Sequence, residues 1–157
     1  VNWLAGLEET DDELLQSTLE VNLVAPLRLS RALAPGMAAR GWGRIVNISS
    51  VWAVVTKARR LPYIVSKSGI NGLTRAIAVE YGPMGVLVNA VAPGFVLTEM
   101  TTQNNTPQAL EAIAAGVPLR RLAEPEEIAE LVAFLASSRN SFMTGQVVVC
   151  DGGYSIV

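Results

Sequence analysis

The sequence predicts an α/β protein built on a parallel sheet. Amphipathic helical stretches alternate with short β-branched runs, the runs are apolar nearly throughout, and no low-complexity tract or linker divides the chain. With 157 residues, half of them apolar, the chain can bury one core and is too short to argue for two domains. A single domain over 1–157 is expected.

Thr10-Asp11-Asp12-Glu13 has the form of a capping box. Leu14, Leu15, Leu19, Leu23, Leu27 and Leu33 follow at helical spacing and predict one long helix to about Arg40. Pro26 interrupts it chemically: proline has no N–H to give the carbonyl four residues back, so a kink with a free carbonyl is expected at Asn22. After Gly41-Trp42-Gly43, residues 44–49 read as a buried strand ending at Ser49-Ser50.

Residues 62–81 read as a helix with Ile64, Ile70, Leu73, Ile77 and Val79 among small Ser66, Ser68, Gly69, Gly72 and Ala76, a composition for close packing on a neighbour. Gly82-Pro83 ends it. Residues 86–91 form the second expected strand, running into Ala92-Pro93-Gly94. The polar stretch 98–106 and a weak helix to about Ala115 read as a mobile loop or lid. Glu124-Pro125-Glu126-Glu127 opens a helix burying Ile128, Leu131, Val132 and Leu135, and a strand at 146–150 precedes the turn Asp151-Gly152-Gly153.

Composition removes several function classes. The net charge of -2 and a pI near 5.2 supply no basic field for nucleic acid, and no apolar run approaches the ~20 residues of a membrane helix. The single cysteine, Cys150, cannot form an internal disulfide, and the lack of histidine excludes the usual zinc sites and His-based triads. No metal site is expected, and a cytoplasmic setting fits. The start at Val1, without initiator Met or signal peptide, is that expected of a truncated chain.

Any catalysis must therefore use other residues. Tyr63 and Lys67 lie four apart on one helix face, where the ammonium is expected to lower the phenol pKa and make tyrosine a general acid or base. Ser50, at the C-terminal end of a strand, stands where ligands of open α/β sheets collect. A lone Tyr-x-x-x-Lys is ordinarily a helix surface pair. Context changes that: Asn22, then Val46-Asn47-Ile48-Ser49-Ser50, then Tyr63-Ile64-Val65-Ser66-Lys67, then Asn89-Ala90-Val91-Ala92-Pro93-Gly94 occur in this order.

On these motifs the chain resembles the short-chain dehydrogenase/reductase family from about Trp3 to its C-terminus. The resemblance implies a Rossmann-like doubly wound parallel sheet, of which this chain holds the C-terminal part, the N-terminal strands being absent from the sequence. It implies an NAD(P)-dependent oxidoreductase interconverting a carbonyl and an alcohol, with NAD or NADP as cofactor. Tyr63 would be the general acid/base, and Ser50, thirteen residues earlier, would orient the substrate oxygen. Lys67 would tune Tyr63 and bond the nicotinamide ribose, and Asn22 would hold a water continuing the proton relay. Pro93, Gly94, the Val96 backbone and the Thr98 side chain would join Tyr63 and Lys67 in binding the cofactor. Asn89 and Asp151-Gly152-Gly153 read as structural.

The pattern departs at the beginning, where no Gly-x-x-x-Gly-x-Gly turn, no ribose selector and no Asn-Asn-Ala-Gly is found. NAD is thus not distinguished from NADP, and the chain alone is expected to be inactive. An alternative reading is a non-catalytic truncated homologue acting as an assembly or interaction fragment. The nearest resemblance is to 3-oxoacyl-(acyl-carrier-protein) reductases and to polyol or sugar dehydrogenases, with a small-molecule substrate and a homo-oligomer, dimer or tetramer, as the implied partners. Gly41 and Met84 stand where the carrier reductases place docking arginines, with Arg40 and Arg44 close by. Lys57, Arg59 and Arg60 either flank the substrate mouth and attract an anion or form a solvated loop tip.

Overall fold

The computed structural model describes residues 1–103 and 105–157, with the Met100 side chain outside the description. Three strands, β1 (Gly43–Ile48), β2 (Val86–Pro93) and β3 (Val147–Cys150), pair in parallel in the order β1-β2-β3. Helices occupy the connections: α1 (Asp12–Leu19), α2 (Ala25–Ala39), α3 (Leu61–Tyr81), α4 (Glu99–Gln103), α5 (Pro107–Ala115) and α6 (Pro125–Ala136). This is an α/β, Rossmann-like arrangement.

Side chains alternate across the sheet as the pleat requires. Ile45, Val86 and Val88 pack with Met37 of α2 and with Leu73, Ile77 and Ala78 of α3. On the same face Asn47 donates to the Thr74 hydroxyl of α3 at 2.9 Å. The opposite face is tied to the segment after α6. There Arg44 donates to the Asn140 carbonyl at 2.7 Å and Asn89 to the Met143 carbonyl at 2.8 Å. Asn89 also accepts from the Gln146 backbone, so both its polar atoms fix the loop entering β3.

The first helix departs from expectation in three ways. Asp11, not Thr10, is the cap: its carboxylate accepts from the Leu14 N–H at 2.8 Å, while the Thr10 hydroxyl turns back to the Gly6 carbonyl. The helix is not continuous, because a π-helical turn at Glu20–Val24 separates α1 from α2. Pro26 supplies the cause, since the missing N–H removes one i→i−4 bond and the wider turn closes instead through the Ala25 N–H to the Glu20 carbonyl. Finally, the buried positions are Thr18, Asn22, Ser30 and Ala34, whereas Leu27 and Leu33 are exposed. Leu29 and Leu33 line an open groove of about 430 Å³ beside the edge of β1, which pairs only with β2 among the described residues.

The stretch 98–106 holds the short helix α4 and then the cap of α5, where the Thr106 hydroxyl accepts from the Ala109 N–H. Asn104, within the expected loop, lies outside the described residues. On α6 Leu135 is fully buried and Ile128, Leu131 and Val132 are half-buried. Among the described residues no helix is long and apolar enough to cross a membrane.

Candidate active site

The C-terminal ends of β1 and β2 and the first turns of α3 meet in one place. Ser50, the second residue after β1, is buried and extended, and its hydroxyl oxygen accepts from the Trp52 N–H at 3.2 Å. Its neighbour Ser49 is committed elsewhere, donating to the Asn71 side chain of α3 at 2.6 Å. That bond leaves Ser50 as the serine available to a ligand.

Tyr63 stands in the first turn of α3, half-buried, with Pro62 at the helix start fixing the backbone. Burial pushes its phenol above the ordinary tyrosine value, opposed by a hydrogen bond with Ser50 and by the charge of Arg60. This corrects the expectation that Lys67 lowers it. The Lys67 ammonium sits 5.7 Å from the Tyr63 ring centre and donates to the Ile48 carbonyl at 2.8 Å. Burial also pushes Lys67 downward, because the same low-dielectric surroundings disfavour its charge.

Asn22 reaches the site from the π-helical turn. Its amide nitrogen donates to the Val1 carbonyl at 2.9 Å and to the Ser66 hydroxyl at 3.1 Å, and its oxygen accepts from the Val1 amine at 3.1 Å. Ser66 in turn donates to the Tyr63 carbonyl at 2.7 Å. A continuous path therefore runs from Asn22 through Ser66 to the backbone of Tyr63. Sequence reasoning took Ser66 only as a small packing residue; its place three residues after Tyr63, on the face that α3 turns inward, was the available signal.

Close packing explains how α3 and the turn approach one another. A Cβ on Gly69 would stand 2.7 Å from Leu23 Cδ2, so the Leu23 side chain packs directly over the Gly69 backbone. At the end of β2, the Gly94 N–H donates to the Cys150 carbonyl, and a Cβ there would lie 2.7 Å from the Asp151 Cα. Asp151 holds its own turn by accepting from the Gly153 and Ser155 N–H groups. Val96 bridges Ala123 through its backbone. The Thr98 hydroxyl bonds the Thr101 backbone N–H and hydroxyl at the start of α4, which leaves it one further hydrogen-bonding position.

One cluster was not anticipated. Trp52 from the serine loop, Phe95 after Gly94 and Tyr154 near the C-terminus meet edge to face, with ring centres 5.2 to 5.9 Å apart. Three aromatics separated by so many residues carry no local signal.

The residues present fit the nicotinamide side of a dinucleotide. The Lys67 ammonium has three donors and gives one to Ile48, leaving donors suited to ribose hydroxyls. No residues for a pyrophosphate turn occur in this sequence.

Comparison with known proteins agrees with this geometry. A family model described as enoyl-(acyl carrier protein) reductase matches residues 3–155. The chain is 43% identical over 143 residues to the 3-oxoacyl-(acyl-carrier-protein) reductase of Pseudomonas aeruginosa, covering 91% of this chain and 57% of that protein. It is 40% identical over 151 residues to the galactitol 2-dehydrogenase (L-tagatose-forming) of Cereibacter sphaeroides, covering 94% and 59%. Among solved structures, the gluconate 5-dehydrogenase of Burkholderia cenocepacia in complex with NADP and tartrate superposes with a TM-score of 0.94 at 26% identity, covering all of this chain and 62% of that one. The chain belongs to the short-chain dehydrogenase/reductase family. It spans just under three fifths of the length of the two sequence relatives described, at 57% and 59%.

Proposed function

We propose that the protein interconverts a carbonyl and an alcohol with NAD or NADP, and that Tyr63 is its general acid/base. The observation that carries this is the meeting of the Ser50 hydroxyl, the Tyr63 phenol and the Lys67 ammonium at the end of β1. When bound, the nicotinamide supplies or accepts the hydride. In oxidation Tyr63 takes the alcohol proton as the C–H hydride leaves, and in reduction it returns a proton to the alkoxide oxygen. Ser50 holds that oxygen by a hydrogen bond. Lys67 bonds the ribose, and the backbone carbonyl of Asn22, its side chain being occupied, accepts from the water that links Lys67 to solvent. Pro93, Gly94, Val96 and Thr98 form the wall against the nicotinamide and its phosphates.

Gly41 and Met84 offer no charge to an acidic carrier protein, which favours a small free substrate. A homo-oligomer fits the exposed side of α3, where Val65, Ser68, Gly72, Ala76 and Val79 leave a flat face. The alternative, a fragment serving assembly, draws support from the free edge of β1 and its groove.

Tyr63→Phe separates the two readings. In the full protein it should lower turnover about 10²–10⁴-fold while dinucleotide affinity stays within a few-fold, because only the proton-transfer group is lost. Turnover close to that of the parent would remove Tyr63 from this role.

A further inference from the structure

Three cations lie on the loop between the serine turn and α3, and the structure separates their duties. Arg59 adopts a left-handed φ of 60° and pairs with Glu9 at 2.7 Å, so its charge is met. Lys57 and Arg60 have no carboxylate partner among the described residues. The Lys57 ammonium lies 5.6 Å from the ring centre of Trp52, whose backbone N–H bonds the Ser50 hydroxyl. Arg60 is the cap residue of α3, three positions before Tyr63; it is half-buried, and its guanidinium bonds the neutral Asn2 side chain at 2.6 Å.

Resting on the reading of Ser50 and Tyr63 above, we infer that the substrate is an anionic hydroxy or oxo compound whose acid group is met by Lys57 and Arg60. Lys57 stands over the ring of Trp52, whose backbone N–H bonds Ser50, and Arg60 caps the helix turn that carries Tyr63, so the acid group of a small molecule whose oxygen meets both hydroxyls is drawn toward the two charges. The positive end of α3, whose cap residue carries no side-chain acceptor, acts in the same sense. Burial of Arg60 strengthens its field at the site relative to a solvated loop tip. The Arg60 charge also acts on the Tyr63 phenol in the direction that favours the phenolate.

The full protein is assayed with D-gluconate, glucitol 6-phosphate and neutral galactitol, and its binding of tartrate is measured by calorimetry. One of the two anions should exceed galactitol in kcat/KM by about ten-fold or more, with the gap narrowing at high salt. Gluconate leading assigns a carboxylate and the phosphate leading assigns a phosphoryl group. Lys57→Gln and Arg60→Gln should each lower kcat/KM for the anion about ten-fold more than for galactitol, mainly through KM. Galactitol preferred, or both variants acting equally on charged and neutral substrates, would overturn the inference. If nothing is turned over, tartrate binding that both variants abolish keeps the anion site and rejects the catalytic reading instead. Absence of tartrate binding by a protein that turns nothing over rejects the anion site.

Discussion

At Tyr63 burial and the surrounding charges pull the phenol in opposite directions, and burial prevails. The residue therefore rests protonated at neutral pH; in the role proposed for it, it gives that proton in reduction, whereas oxidation needs the phenolate. Alcohol oxidation should rise with pH from neutral into the alkaline range and carbonyl reduction should fall, as read in kcat/KM profiles. Arg60→Gln should move both limbs to higher pH by removing the cation that opposes burial at the phenol, and profiles unmoved by that change would deny the coupling. Gly94 tests a different kind of constraint. Its missing side chain lets β2 end against Asp151, so Gly94→Ala should destabilise the protein by about 1–3 kcal/mol in denaturant titration through overpacking against backbone. An unchanged midpoint would mean that the turn can yield.

Among the elements, α6 begins with the most organised electrostatics. Arg121 grips both oxygens of Glu127 at 2.6 and 2.7 Å, and the Glu124 N–H donates to the same carboxylate. These contacts hold the Glu127 pKa at about 2, below its ordinary value of 4.5. Because the folded pKa is the lower one, the stabilisation is complete above the ordinary value and fades as pH falls towards 2. Glu127→Gln should thus lower the Tm at pH 7, with the gap to the parent closing under acid; a gap constant in pH would assign the loss to packing. Such local chemistry was legible in the sequence, as Glu124-Pro125-Glu126-Glu127 marks this helix start unaided. The strands were legible too, within a residue or two, because β-branched runs bounded by glycine and proline admit few alternatives. The inward face of the first helix was not. Thr18, Asn22, Ser30 and Ala34 are buried where a hydrophobic pattern points to leucines, and the wide turn at Glu20–Val24 breaks the period on which that pattern rests. The order of Asn22, Ser50, Tyr63 and Lys67 could be read from the chain. That burial outweighs Arg60 and the Ser50 hydroxyl at the phenol could not, since it depends on everything packed around the ring.

For the molecule as a whole, the 157 residues carry the groups proposed for the chemistry but no glycine-rich turn for a pyrophosphate. Produced alone, this polypeptide should show no thermal shift with micromolar NAD or NADP, whereas a ligand at 100 times its Kd would add about 2.7 kcal/mol. A clear shift from a sample of verified mass would mean that the nicotinamide side suffices. The trio of Trp52, Phe95 and Tyr154 gives the segment after β3 a particular part in this architecture. Synthesis on the ribosome delivers β1, α3 and β2 before β3 and before the Tyr154 ring that contacts Trp52 and Phe95. A nascent chain can therefore pair its first two strands well before the loops around Ser50 and Phe95 have anything to lean on. Loss of Tyr154 would remove the brace while sparing the elements on which the proposed catalytic residues are strung.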